Sequence, residues 1–474
     1  MRSTDTLHRH ATKRRWPLAV TLAAWPLALL TLSSAYAQMP QDRAASHPHL
    51  EAHQQHLGGA PAGRASSEQV GAGTLMNPLI SVIFDGVYAN EFSGHIDDPG
   101  GFEMGHDHGD NGHDHGFEDG FQLRETEFAF EATVDPYFDA FAMLVIEGTD
   151  TIDLEEAYFT TRALPWGLQI KGGRFLSNIG YINPFHPHDW DFVDRPLVSE
   201  HLFGDHGLQD TGIQVNWLAP TLTYLKFGVE ALQGDDDGML TKYGHSAGPN
   251  LMTAFAKWGP DLGFDHAAQL GLSAGYGTIW EDEERHSTDM ELWEDGHSWF
   301  AGLDAVYKYT PPRSYQGAGQ LTLQGEWFYR EISADYIVYS HTERDDGSWR
   351  FGEGRGDPDN INSAVTWQQD GMYLQAVYGI APRWRAGLRA EALGLLKNQS
   401  HNHRTAGPNC YDEFDTSYRY SAVVTHYPSE FSFVRGQLSY SDFAADEPGG
   451  PREDAWQFLV QYNLSLGVHG AHTF

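Results

Sequence analysis

Cysteine is almost absent from this 474-residue chain: Cys410 stands alone, so no disulfide can form within it. Basic residues are scarce too. Thirty Lys and Arg face 65 Asp and Glu, a formal net charge of −35 that argues against nucleic acid as a partner. Beyond Leu32 no stretch approaches the roughly 20 consecutive apolar residues of a transmembrane helix. What the chain has instead is 51 glycines and 13% aromatic residues, with the apolar residues spread thinly along its length.

The amino terminus reads as an export signal. Arg2, Lys13, Arg14 and Arg15 precede the apolar run Trp16 to Leu32, and Ala35-Tyr36-Ala37 supplies small residues for cleavage. Residues 1–37 are therefore expected to be a signal peptide. Residues 38–76 are rich in Gly, Ala, Ser and His with little apolar pattern, which suits a disordered periplasmic leader. A long exported chain without disulfides needs another way to close, and a β-barrel supplies one by leaving no strand edge unpaired.

The remaining 77–474 follow a two-residue period. At the carboxy terminus Phe458, Val460, Tyr462, Leu464, Leu466, Val468 and Phe474 share one parity, and Gln457, Gln461, Asn463, Ser465 and Thr473 the other. About sixteen such segments can be counted, each near the 9–11 residues of a tilted membrane strand. Seven proline-marked connections read as short turns, at Val134–Tyr137, Leu164–Gly167, Leu218–Pro220, Trp258–Pro260, Thr310–Pro312, Ile380–Pro382 and Tyr427–Pro428. Seven long polar loops and a tight hairpin near Gly148 to Thr151 alternate with them. The expected fold is all-β: a transmembrane antiparallel barrel of about sixteen strands in the bacterial outer membrane.

Parity also assigns faces. Ile213, Val215 and Trp217 point to lipid with Gln214 and Asn216 inward, and Leu323, Trp327 and Tyr329 oppose Gln324, Glu326 and Arg330. By this count Asp85, Glu125, Glu127, Glu131 and Glu155 line an acidic wall, and Arg330, Arg385, Arg389, Arg419 and Arg435, with Glu391 among them, a basic one. Charges at such positions face water in an open barrel and select solutes. Mutual neutralisation of the two walls is the alternative.

The segment from Gly172 to Pro196, containing Asn183-Pro-Phe-His-Pro-His-Asp-Trp-Asp-Phe-Val-Asp194-Arg195, together with Asp153 to Tyr158 and Asp210 to Trp217, resembles a porin-like outer-membrane family similar in plan to the phosphate-selective porins. Proteins of that kind carry the labels zinc-regulated outer-membrane protein or TonB-dependent receptor. The resemblance implies a loop that folds inward here and narrows the pore, with Asp189, Asp191, Asp194 and Arg195 at the constriction. It also implies outer-membrane lipid and the barrel-assembly machinery as partners, the latter through the carboxy-terminal strand, and a homotrimer by analogy. The receptor label implies a 22-stranded barrel with a plug, for which residues 38–76 are too few.

A histidine tract gives a second lead. His106, His108, His113 and His115 alternate with Asp and Gly in the first long loop, a composition suited to zinc, nickel or copper. Gly271-Leu-Ser273-Ala-Gly275 matches a hydrolase pattern but sits in a strand-like alternation rather than at a strand-to-helix turn, so no enzyme is expected. Arg355-Gly-Asp357 and the carboxylates around it read as loop polarity. The expected function is a passive channel for small hydrophilic solutes or ions, linked to metal uptake, with a metal-binding surface receptor as the alternative and no cofactor required.

Overall fold

The computed structural model describes residues 78–467 except 95–97, 103–116, 149–150, 235–239, 242–247, 280–290, 339–340, 344–348, 352–360, 403–410 and 446–447. Sixteen antiparallel strands make one closed sheet. They are β1 (Leu79–Ser93), β2 (Gly120–Thr133), β3 (Phe138–Glu147), β4 (Thr151–Thr161), β5 (Leu168–Leu176), β6 (Gln209–Leu218), β7 (Tyr224–Leu232) and β8 (Leu251–Gly259). The second half is β9 (His266–Ile279), β10 (Glu291–Tyr309), β11 (Leu321–Val338), β12 (Ile361–Ala381), β13 (Trp384–Asn402), β14 (Ser417–Ser429), β15 (Ser432–Phe443) and β16 (Glu453–Gly467). Each strand pairs with the next, and β16 returns to β1 through Val82 with Leu466 and Asn90 with Phe458. A small hairpin, His341–Glu343 against Trp349–Phe351, stands outside the barrel sheet.

Closure satisfies the backbone, and alternation supplies the two faces. Ile213, Val215, Trp217, Leu323, Leu388, Tyr420, Tyr462 and Leu464 are exposed on the outer side, while Gln214, Gln324, Glu326, Arg389, Ser421, Gln461 and Asn463 are buried inside. An apolar outer band on a closed barrel places the protein in the bacterial outer membrane.

Two details depart from the sequence reading. Strands β10 to β13 run 18 to 21 residues, well beyond what the hydrocarbon requires, because their antiparallel pairing continues past it. The turn expected at Tyr427-Pro428 lies two residues later, at Glu430 and Phe431. Pro428 is tolerated near the end of β14 because the ladder slips between His426 and Ser429, where its missing N–H breaks no bond.

The connection from β5 to β6 does not stay outside. Residues 177–208 pass through the lumen, with a tight turn at Pro187–Asp189 and a short helix, α1 (Leu197–Phe203). Leu197, Val198, Leu202 and Phe203 of α1 are fully buried against Phe300, Phe328, Tyr373 and Leu393 of the barrel wall and Phe102 of the first loop. The Phe203 ring meets Phe300 and Phe328 edge-on, at 5.1 and 4.9 Å between centroids. Burying each of these side chains stabilises by about 1.5–3 kcal/mol. Gly275 and Gly302 make this platform possible: the rings of Phe300 and Phe328 lie over them, in space that a Cβ would fill.

Candidate functional site

The loop crossing the lumen is held by inward polar side chains from around the barrel. On β11, Glu326 accepts the backbone N–H of Tyr181 and of Ile182 at 3.0 and 2.9 Å, and the Tyr373 hydroxyl at 2.5 Å. On β7, Glu230 accepts the Asn178 N–H and the hydroxyls of Ser177 and Thr253. Ser273, the serine of the hydrolase-like motif, lies within β9 and accepts the N–H of Gly180 at 3.0 Å. Its position is an anchor for the loop.

The arginines of the basic wall grip the next stretch. Arg435 donates to the carbonyls of Trp190 and Phe192 at 2.6 and 3.0 Å, and Arg330 to that of Leu202 at 2.9 Å. Arg389 pairs with Asp194 at 2.5 Å and with Glu391 at 2.9 Å, and Arg419 reaches the other Asp194 oxygen at 3.3 Å. Glu391 accepts the N–H of Leu197, and Gln437 that of Val193. Arg385 is peripheral, 4.0 Å from Asp191 and over the Tyr427 ring. Arg330, Arg389, Arg435 and Glu391 are 3% exposed or less, so they face the loop rather than open water.

The acidic wall holds the loop by opposite chemistry. His188 contacts Glu127 at 2.8 Å and Asp189 at 3.6 Å; His186 contacts Glu156 at 3.0 Å and Glu155 at 3.5 Å. The two imidazoles stack nearly parallel, 5.9 Å apart. Glu127 is fully buried, and Glu125 and Glu131 are partly buried on the same strand. A β-bulge in β2 at Glu125 turns Arg124 inward too, where it pairs with Asp85 and donates to the Val193 carbonyl.

The loop's charges thus match the wall each part meets. Burial opposes protonation of His188, yet Glu127 and Asp189 overcome it and raise its pKa to about 9. His186 is likewise raised, against burial, by Glu155 and Glu156. The carboxyl of Asp194 is buried but held below its ordinary range by Arg389 and Arg419. Burial drives Glu200 up to about 7 and Arg195 down to about 10. Arg195 stays within the loop, stacked on Trp190 and donating to the His206 carbonyl.

Sequence parity placed Glu326 inward without a role, and it passed over Lys171, Lys226, Lys257, Glu230 and Glu156. The contacts that tie Glu326, Glu230, Lys257 and Glu156 to the loop join residues 30 to 145 apart, and a bulge in β4 beside Glu156 shifts the parity on which Glu155 was placed inward. His106, His108, His113 and His115 lie outside the described residues, as does Phe474.

No family model matches the chain. Among solved structures it is similar in fold to the outer-membrane channel DcaP of Acinetobacter baumannii, at 13% identity and a TM-score of 0.49, covering 84% of this chain and 100% of that one. It is also similar to an anion-selective porin from Comamonas acidovorans, at 10% identity and a TM-score of 0.43, covering 82% and 98%. In sequence it is 32% identical over 385 residues to an uncharacterized protein of Aquifex aeolicus (strain VF5), spanning 77% of this chain and 73% of that protein. The chain belongs to the same family as that Aquifex protein.

Proposed function

We propose that this barrel is a passive channel for small hydrophilic solutes or ions, narrowed by the loop 177–208. The observation that carries the reading is the charged clamp around that loop: Arg389 and Arg419 on Asp194, Glu127 on His188, and Glu326 on the backbone of Tyr181 and Ile182. A loop that only had to fill the barrel would be held throughout by apolar packing of the kind α1 makes. Rows of paired charges cost desolvation and suit a lumen that keeps a polar path beside the loop. Conduction should be tested in planar lipid bilayers. Discrete, ohmic steps support the channel, and a membrane loaded with folded protein that carries no current over any voltage or salt gradient overturns it.

The finer reading links the channel to metal. His106, His108, His113 and His115 form a tract whose imidazoles and carboxylates suit zinc, nickel or copper, and a surface receptor built on that loop is the competing function. Calorimetric zinc titration of the purified chain and of the variant with all four changed to Ala tests both. Equal uptake by the two removes the tract from either role. A homotrimer and delivery by the barrel-assembly machinery belong to the same proposal.

A further inference from the structure

A charge steers ions through a lumen only where water reaches it, and the inward loop divides the barrel's charges unequally in that respect. It covers the basic side. Arg330, Arg389 and Arg435 lie against residues 177–208, engaged with the Leu202 carbonyl, with Asp194 and with the Trp190 and Phe192 carbonyls. Lys171, Lys226 and Lys257 are at least nine-tenths buried as well. Arg419 and Arg385 keep 19% and 20% of their side chains exposed, and each already faces a carboxylate, Asp194 at 3.3 Å and Asp191 at 4.0 Å.

The carboxylates that stay open are the more accessible group. Asp189 and Asp191 on the loop keep 38% and 23% of their side chains exposed, and Glu147, the last residue of β3, keeps 37%. Asp153 of β4 is exposed too, and it pairs across the ladder with the inward Val145, so it shares the lumen face. Their cationic neighbours do not cancel them. Asp189 touches His188 at 3.6 Å, but that imidazole is shared with the buried Glu127, and His206, 3.7 Å from Glu147, carries charge only when protonated. Lys308, half-buried near the Tyr181 ring, opposes them only in part. Buried pairs present little field at a distance, whereas exposed carboxylates in a narrow aqueous lumen gather cations and repel anions.

We propose that the path beside the loop prefers small cations to anions, with Glu147, Asp153, Asp189 and Asp191 setting the preference. The inference rests on the channel reading and names the class of ion that passes. It is opposite to the preference that five inward arginines would give if they met water. Zero-current potentials of the detergent-purified full chain in planar bilayers, across a potassium chloride gradient at pH 8, test it; free imidazole titrates near 6.5 and is neutral there. The expected potential has the cation sign and corresponds to at least about a threefold preference for potassium over chloride. In the variant carrying Glu147→Gln, Asp153→Asn and Asp191→Asn that preference should fall at least about twofold. Asp189 is left in place because it helps to hold His188, and heat-modified gel migration checks that the variant folds. A zero or anion-side potential in the natural chain, or equal potentials in the two, overturns the cation preference and leaves the channel standing. Membranes that carry no current under any gradient overturn the channel and the preference with it.

Discussion

Glu391 and Arg330 hold opposite ends of the same seven-residue helix. Glu391 accepts the N–H of Leu197 at its first turn, and Arg330 donates to the carbonyl of Leu202 at its last. Each charge has the sign that the exposed backbone groups at that end favour. A helix this short is not stable alone. Its place in the lumen comes from these two caps and from the packing of Phe203 on Phe300 and Phe328.

Replacing Glu391 by Leu together with Arg330 by Met should therefore release α1 while the barrel survives. Each buried backbone group left without its partner costs about 1–3 kcal/mol. Limited proteolysis should show new cleavage between residues 197 and 203, with heat-modifiable gel migration unchanged. Resistance equal to that of the natural chain would mean that packing alone holds the helix.

Changing Arg389, Arg419 and Arg435 together to Gln should do more than remove positive charge. Asp194 would be left buried with only Gln437 beside it, and the Trp190 and Phe192 carbonyls would lose their donor. Breaking a buried ion pair by deleting one partner costs about 3–5 kcal/mol. The expected outcome in bilayers is larger single-channel conductance together with a reversal potential shifted toward cations. A selectivity shift at unchanged conductance would show that these arginines act on ions without positioning the loop.

The loop's grip should depend on pH at both extremes. His188 is raised to about 9 from an ordinary value near 6.5, so its contribution, roughly 3 kcal/mol, is fully present below about 6.5 and is lost as pH rises through about 9. Asp194 is lowered from 3.8, so its contribution is present above that value and is lost as pH falls through its folded-state pKa. The loop should be most protected between these limits. Conductance should rise above pH 9, and Glu127→Gln should bring that rise to lower pH. A flat profile from pH 6 to 10 would remove His188 from the anchoring of the loop.

Period-two alternation made the barrel legible because lipid and lumen impose opposite chemistry on successive residues. Ile213 against Gln214 and Leu388 against Arg389 carry that signal locally. Prolines marked six of the seven turns, and Pro428 misled because a proline is tolerated where the ladder slips. What Arg389 or Glu326 touches was not legible. Both read as wall charges, and the acceptor Asp194 and the donors Tyr181 and Ile182 lie 195, 145 and 144 residues away. Arg124 was hidden for another reason: the bulge beside it breaks the parity on which the assignment of faces rests.

Gly180 packs directly against the wall, and it offers a local test of the arrangement. Its φ is +55°, a left-handed conformation that glycine adopts freely and other residues adopt at a cost. A Cβ there would meet the Glu326 carboxylate and the Phe328 ring, and the Gly180 N–H and carbonyl are already engaged by Ser273 and Lys257. Gly180→Ala cannot be relieved by turning the side chain, because a methyl has no rotamer to change. The backbone must move instead, and the Glu326 bonds to Tyr181 and Ile182 are the first to stretch. The expected result is a folded barrel with about 1–3 kcal/mol less protection of the loop, seen as faster amide exchange at Tyr181 and Ile182 than in the natural chain. The same substitution at Gly263, also left-handed at φ +89° but with nothing near its absent Cβ, should leave those two amides unchanged. Equal exchange in both variants and the natural chain would show that residues 177–208 are not held through Glu326.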